Sequence, residues 1–303
     1  MIPKLVLIDA HAILHRAYHA LPPLTNKEGT QTNAIYGFMT MVLRLLSGIK
    51  PEYLAVCFDR PEPTFRKQIY TQYQGKRPEM EGNLAEQIPL LHELLDGLKI
   101  SHFEVAGYEA DDVIGTLAKQ NSEETIIVTG DRDMLQLVND KVKVLVPVKG
   151  LGETKLYDPD TVVEEFGVEP RQWVDVKALK GDSSDNYPGV PGIGPKTAQM
   201  LISKYSTLEN LYGRLGELGK LGVKLAEGAE SAGMSKKLAT IVTDVPVHLD
   251  LLRADATKID WGNGAKFMRE KLGFKSIAGR VEREYLDKDD KAISPTSRQM
   301  ELI

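Results

Sequence analysis

Short apolar runs alternate with stretches of helical spacing through the first half of the chain, and each run stops on acid. KLVLI ends at Asp9, YLAVCF at Asp59, and TIIVTG at Asp131 and Asp133. A fourth run, ISHFEVA, passes through a glycine and a tyrosine to Glu109, Asp111 and Asp112. Runs this short and this rich in β-branched residues, set between helical patterns, predict buried parallel strands. VKVLV at 142–146 is a candidate fifth strand.

Between the runs, AHAILHRAYHAL predicts a helix ended by Pro22 and Pro23. Residues 33–46 are apolar nearly throughout and predict a buried helix. Residues 83–98 are amphipathic, with Pro89 marking a kink or a late start, and 111–120 is helical. After about residue 170 the strand signal stops and short helices broken by Gly and Pro take over. Residues 214–233, rich in Gly, Leu, Lys and Glu, predict helices with flexible joints. From Asp287 the chain is polar and reads as a tail or linker. The expected fold class is α/β, with a first domain over 1–170, a helical second over 171–286 and a tail over 287–303.

The acids carry the strongest chemical signal. In open α/β sheets ligands sit beyond the carboxyl ends of the strands, where Asp9, Asp59, Glu109, Asp111, Asp112, Asp131 and Asp133 would gather. KGDSSDN adds Asp182 and Asp185. Glu109 and Asp112 are spaced to share a helix face, and Asp131 and Asp133 to point the same way from an extended segment. Nine like charges do not stay ionised together without cations among them. A donor set of oxygen calls for Mg²⁺ or Mn²⁺ rather than zinc. Two such ions about 4 Å apart activate a water on one side of a phosphodiester and stabilise the departing oxygen on the other. Any one of these acids alone reads equally well as a helix cap or a solvated loop residue. The repetition at four strand ends weighs against that.

Net charge is −5, which counts against a polyanionic partner until the clustered acids are set aside. The remainder is mildly basic, and the basic residues collect. PEPTFRKQIYTQYQGKRP, residues 61–78, interleaves Phe65, Tyr70 and Tyr73 with Arg66, Lys67, Lys76 and Arg77. Aromatics stack on unpaired bases while cations follow phosphates, although an exposed amphipathic helix has the same composition. In VPGIGPKTAQMLI, the turn Gly192-Ile193-Gly194 leads into a helix starting near Pro195, with Lys196 and Thr197 in its first turn. Unpaired amides there can hold a DNA phosphate without reading bases. A lone GIG more often serves packing, but this one begins six residues after GDSSDN.

The remaining features narrow the class. With 303 residues, 42% hydrophobic and 27% charged, the chain suits a globular protein of one larger and one smaller domain. The single Cys57 lies inside an apolar run, reads as a core residue and fits a reducing cytoplasm, the expected location. No run is long enough to span a membrane and none resembles an export signal. His11, His15 and His19 recur at four-residue spacing, yet no Cys accompanies them and His11 crowds Asp9, so a metal reading is not favoured. Gly-rich nucleotide loops and a nucleophile-elbow serine are absent from the sequence.

Taken in order, LIDAHAILHRAYHAL, CFDRPEPTFRKQIYTQYQGKRP, GYEADDVIGTLA, VTGDRDMLQLV and LKGDSSDNYPGVPGIGPKTA resemble the 5′ nuclease domains of bacterial DNA polymerases I, in the flap-endonuclease superfamily. The resemblance covers about residues 1–285. It implies a PIN-like parallel sheet, a helical arch region over 61–92 and a helix-two-turn-helix domain, a DNA-binding motif of the helix-hairpin-helix type. It further implies that the nine acids form a two-metal site and that Arg16 and residues 65–78 act on the scissile phosphate and the 5′ strand. Gly192–Lys196 would hold downstream duplex, with a potassium ion at its carbonyls. One departure stands out. Family members commonly carry Tyr-Lys-x-x-Arg at the arch base, where this chain has Tyr73, Gln74, Gly75, Lys76 and Arg77, so Lys76 is the candidate to replace the missing lysine.

The expected reaction is metal-assisted hydrolysis of a DNA phosphodiester near a 5′ end or at the base of a 5′ flap. Arg77 with Lys76 or Arg16 would neutralise the developing charge, and Tyr73 would receive an unstacked base. DNA with a 5′ end, flap or nick is the expected partner of a monomeric chain, alongside a polymerase in cis or in trans. A PIN-type ribonuclease and a binding-only module are the alternatives. GIGPKTA speaks against the first, and an unbroken set of nine acids against the second.

Overall fold

A computed structural model of the protein describes residues 5–150 and 152–287. The tail expected over 287–303 lies, beyond Asp287, outside the described residues. Six strands form one sheet: β1 (Leu5–Asp9), β2 (Tyr53–Cys57), β3 (Ser101–Phe103), β4 (Thr125–Val128), β5 (Val142–Lys149) and β6 (Glu153–Tyr157), in the order β3-β2-β1-β4-β5-β6. The first five are parallel, as their continuous apolar runs predict. β6 runs antiparallel to β5, and its polar ETKLY carries no apolar signal because it forms a sheet edge. Because β2 and β3 lie to one side of β1 and β4 and β5 to the other, the order reverses between β1 and β4. That is the position where such sheets open a crevice.

The helices are α1 (Ala10–Ala20), α2 (Asn33–Gly48), α3 (Phe65–Ile69), α4 (Gly82–Ala85), α5 (Gln87–Leu98), α6 (Ala110–Gln120), α7 (Pro159–Phe166), α8 (Trp173–Lys180), α9 (Pro195–Tyr205), α10 (Leu208–Tyr212), α11 (Lys220–Glu227), α12 (Ala229–Ala239), α13 (Trp261–Glu270) and α14 (Lys275–Val281). Pro89 falls in the first turn of α5, where no N–H is needed, so the helix starts late rather than kinking. Alternate strand residues face opposite layers. Leu5, Leu7, Ala55, Cys57 and Ile127 belong to one buried cluster with residues of α6, α8 and α9, while Val6, Ile8, Val56 and Val128 belong to another with residues of α1, α2 and α5.

α13 and α14 depart from the expectation that 171–286 forms one helical unit. Trp261, Met268, Phe274 and Ile277 join the core beneath α2 and α5. Gly264 makes this possible, since a Cβ there would collide with Leu98. Asn26 Nδ2 donates to the Lys271 carbonyl at 3.1 Å, and the Asp260 N–H donates to Leu98 O at 2.8 Å. Among the described residues no helix is long and apolar enough to cross a membrane.

Candidate active site

The acids meet at the reversal point of the sheet. Asp9 ends β1 and caps α1, accepting from the Ala12 N–H at 3.0 Å. Its second oxygen accepts from Thr129 Oγ1 at 2.7 Å, and that same hydroxyl accepts from the Asp131 N–H at 3.0 Å. Thr129 thereby ties the ends of β1 and β4 together. Asp131 in turn caps the 3₁₀ turn Arg132–Leu137 by accepting from the Asp133 N–H at 2.7 Å. On the other flank Asp59 accepts from the Ala110 N–H at 2.8 Å, while its own N–H donates to His11 Nδ1 at 3.1 Å. An accepting Nδ1 belongs to a neutral imidazole, and burial holds the His11 pKa below its usual value.

Electrostatics separates the acids into two sets. Burial and the nearby Asp59 and Asp131 carboxylates push Asp9 up to about 7. Burial pushes Glu109 to about 7 as well, against the pull of Arg66, and Asp111 is raised by burial beside Asp131, Asp9 and Asp59. These groups repel one another. Three of the other acids, Asp112, Asp133 and Asp182, have a buried cation beside them, although burial and Asp131 still push Asp133 up to about 7. Asp112 is wholly buried and grips Arg66 at two points, 2.6 and 2.8 Å, while also accepting from the Val242 and Glu109 N–H groups. Both of its oxygens are engaged by these donors, so Asp112, expected among the metal ligands, serves here as the partner of Arg66. Lys177 of α8, itself buried, bridges Asp133 and Asp182. Burial alone would lower the Lys177 pKa, but the two carboxylates raise it above its usual value; Asp182, pushed up by burial, is pulled below its usual range by Lys177 and Ser184.

Asp182 and Asp185 sit on a loop that closes on itself. Gly181 and Gly189 take positive φ angles of 70° and 61° and their backbones cross where a Cβ would not fit. Asp182 and Tyr187 exchange backbone hydrogen bonds at 2.9 and 3.0 Å. The loop is fastened to the segment after α3. The Gln74 N–H donates to Asp185 O at 2.8 Å, Arg77 Nη2 reaches Asp185 Oδ1 at 3.0 Å, and Asn186 Nδ2 donates to Gln72 O at 2.7 Å.

Two side chains expected at the nucleic acid are buried instead. Arg66, 2% exposed, also donates to the carbonyls of Leu238 and Thr240 at 2.9 and 3.0 Å, joining α3, α6 and the end of α12. Tyr73, 3% exposed, stacks with Tyr187 and donates to Glu109 Oε2 at 3.2 Å, leaving no free face for a base. Phe65 is half-buried under the Arg66 guanidinium, 4.6 Å from its ring centre. Arg16 Nε donates to Gly150 O at 2.6 Å, at the turn between β5 and β6. Lys76 is exposed and pairs with no acid among the described residues, whereas Gln74 Nε2 lies 3.4 Å from Asp185. Gly192, Gly194 and Lys196 are exposed and Thr197 is half-buried, with the buried Ile193 anchoring the turn before α9. Sequence reasoning missed Lys177, Thr129 and the role of His11. A lysine inside the apolar VDVKAL, and a threonine just past a strand, were the available signals.

The donor set is oxygen throughout, and Asp9 and Asp111, raised by burial and by one another, have no cation partner among the described residues, so the residues present fit hard divalent ions. Among the described residues no three acidic, histidine or cysteine side chains already close around one point. An ion such as Mg²⁺ that keeps several waters suits an open ring of this kind.

The strand-end acids thus gather at the sheet's reversal point, ahead of a helical region entered through a glycine turn. The family model for the 5′-3′ exonuclease N-terminal resolvase-like domain matches residues 4–167, and that for the 5′-3′ exonuclease C-terminal SAM fold matches 168–261. The chain belongs to the 5′-3′ exonuclease family. It is 43% identical over 253 residues to DNA polymerase I of Bacillus subtilis, covering 82% of this chain and 29% of that protein. The chain thus spans about a third of the length of the curated relatives it matches. In fold it is similar to the bacteriophage T5 5′-exonuclease with bound zinc, at a TM-score of 0.64 and 20% identity, covering 94% and 98% of the two chains. The T5 flap endonuclease held with DNA and metal ions is alike at a TM-score of 0.64 and 19% identity, covering 95% and 99%.

Proposed function

We propose that the chain is a structure-specific 5′ nuclease that hydrolyses DNA phosphodiesters near a 5′ end or at the base of a 5′ flap, with Mg²⁺ as its ion and Mn²⁺ able to replace it. The observation that carries this is the set of mutually repelling acids at the sheet's reversal point, with Asp9 and Asp111 raised by burial and by one another. Asp9, Asp59, Glu109, Asp111 and Asp131 would hold one ion, and Asp133, Asp182 and Asp185 a second. Bound there, divalent ions supply an activated water and charge stabilisation for the leaving 3′ oxygen.

The chain's own residues do the rest. Thr129 and the Ala12 and Ala110 amides fix the orientations of Asp9 and Asp59. Arg77, held at the rim by Asp185, and the unpaired Lys76 bind and orient the phosphate, with Arg16 available once it leaves Gly150. The exposed turn Gly192–Gly194 and the start of α9 would hold downstream duplex by its backbone, and the turn's carbonyls would hold a potassium ion. A boundary near residue 170 separates the catalytic part from the duplex-gripping part. The relatives that the chain matches are polymerases, which supports a role beside a polymerase, in cis or in trans, during replication and repair.

The test is incubation of the chain with end-labelled 5′-flap DNA, blunt duplex, single strand and the matching RNA, in Mg²⁺, Mn²⁺ or chelator. Release of the flap near its junction only with ions supports the reading. Cleavage of RNA alone would replace it with a ribonuclease, and binding without cleavage would leave a binding module.

A further inference from the structure

α1 carries a second arrangement that the acid site does not use. His15 and His19 stand one helical turn apart on its exposed face, with their Nε2 atoms 3.3 Å apart and ring centres at 4.5 Å. Two nitrogens bound to one tetrahedral ion at about 2.05 Å each are themselves separated by about 3.3 Å. The two rings therefore already stand at the separation a shared ion requires. Around them, the Tyr18 ring lies edge-on to His19 at 5.2 Å and its hydroxyl donates to Glu81 at 2.9 Å, which brings a carboxylate beside the pair. Partial burial, His19 and Arg77 hold His15 below the usual histidine range, against the pull of Glu81. A lowered value favours the neutral ring, the form that ligates.

We propose that His15 and His19 chelate a borderline divalent transition metal of the zinc, nickel or copper class on the exposed face of α1. Imidazole suits these ions far better than it suits Mg²⁺. Among the described residues no third acid, histidine or cysteine closes a cage there. Water completes the coordination, and the open positions are available to an anionic ligand. The inference stands on the two rings alone and does not depend on the nuclease reading.

The test is calorimetric titration of the full chain with Zn²⁺ in excess Mg²⁺, with the double variant, whose acids are intact, counting the zinc they take. The chain is compared with His15→Ala, His19→Ala, the double variant and His19→Gln, which keeps a polar group without an imidazole. The unaltered chain is expected to bind one more zinc ion than the double variant, with each single change weakening that site by roughly tenfold or more. The rise in melting temperature on adding Zn²⁺ should vanish in the double variant. Equal stoichiometry and affinity in all five proteins would overturn the proposal and leave the rings sharing only a hydrogen bond. Circular dichroism confirms that α1 is intact in each variant, as expected for two exposed positions.

Discussion

Arg66 and Asp112 form a two-point ion pair, at 2.6 and 2.8 Å, in which neither side chain reaches solvent. Removing one partner of such a pair leaves a buried charge uncompensated, at a cost of about 3–5 kcal/mol. Arg66→Ala and Asp112→Ala should each lower stability by that order in denaturant unfolding. A loss under about 1 kcal/mol, the range of a surface pair, would show that the pair is not the tie between α3, α6 and the end of α12.

The raised acids make stability depend on pH. Asp9 and Glu109 titrate near 7 in the folded chain and near 4 when unfolded, so between those values the folded state binds more protons. Stability in chelator therefore falls as pH rises from 5 to 8, while Asp182, whose pKa is lowered, stays ionised across the whole window. Mg²⁺ favours the ionised forms and should narrow the difference. Melting curves at pH 5 and 8, with and without Mg²⁺, read this directly; higher stability at pH 8 in chelator would reverse the sign and refute it.

Much of the site was legible because its signals are local. A strand ending in acid and a proline past a helix end are patterns within a few residues, and β1, β2, β4 and α1 follow them. The buried roles were not legible. PEPTFRKQIYTQYQGKRP has the same composition whether its cation meets phosphate or a carboxylate, and what buries Arg66 is a carbonyl 172 positions along the chain. The return of α13 to the first layer likewise depends on a fit between Gly264 and Leu98 that no spacing announces. β6 was missed because an edge strand needs no apolar run.

Lys177 stands between Asp133 and Asp182 as an internal counter-charge. Lys177→Met should destabilise the chain in chelator by about 3–5 kcal/mol, since two buried acids lose their partner. Added Mg²⁺ should then raise the melting temperature more than in the unaltered chain, because the ion takes over the neutralising role. Equal Mg²⁺-induced shifts in the two proteins would argue that the second acid group does not bind an ion.

Lys76 is free at the rim while Gln74 is bound to the acidic loop. If Lys76 supplies the positive charge that the arch base otherwise lacks, Lys76→Ala should cut flap cleavage by about 10²-fold with little change in stability. Gln74→Lys should rescue part of that loss. An unchanged rate in Lys76→Ala would move the role to Arg16 or Arg77.

The most direct test of the division between ion-holding and fold-holding acids is the comparison of Asp131→Asn with Asp112→Asn, measuring 5′-flap cleavage in Mg²⁺ and melting temperature together. Asparagine keeps the cap that Asp131 provides, so Asp131→Asn should lose cleavage by orders of magnitude while melting at or above the original temperature. Asp112→Asn should melt well below it. Full cleavage by Asp131→Asn, or an unchanged melting point in Asp112→Asn, would contradict the account.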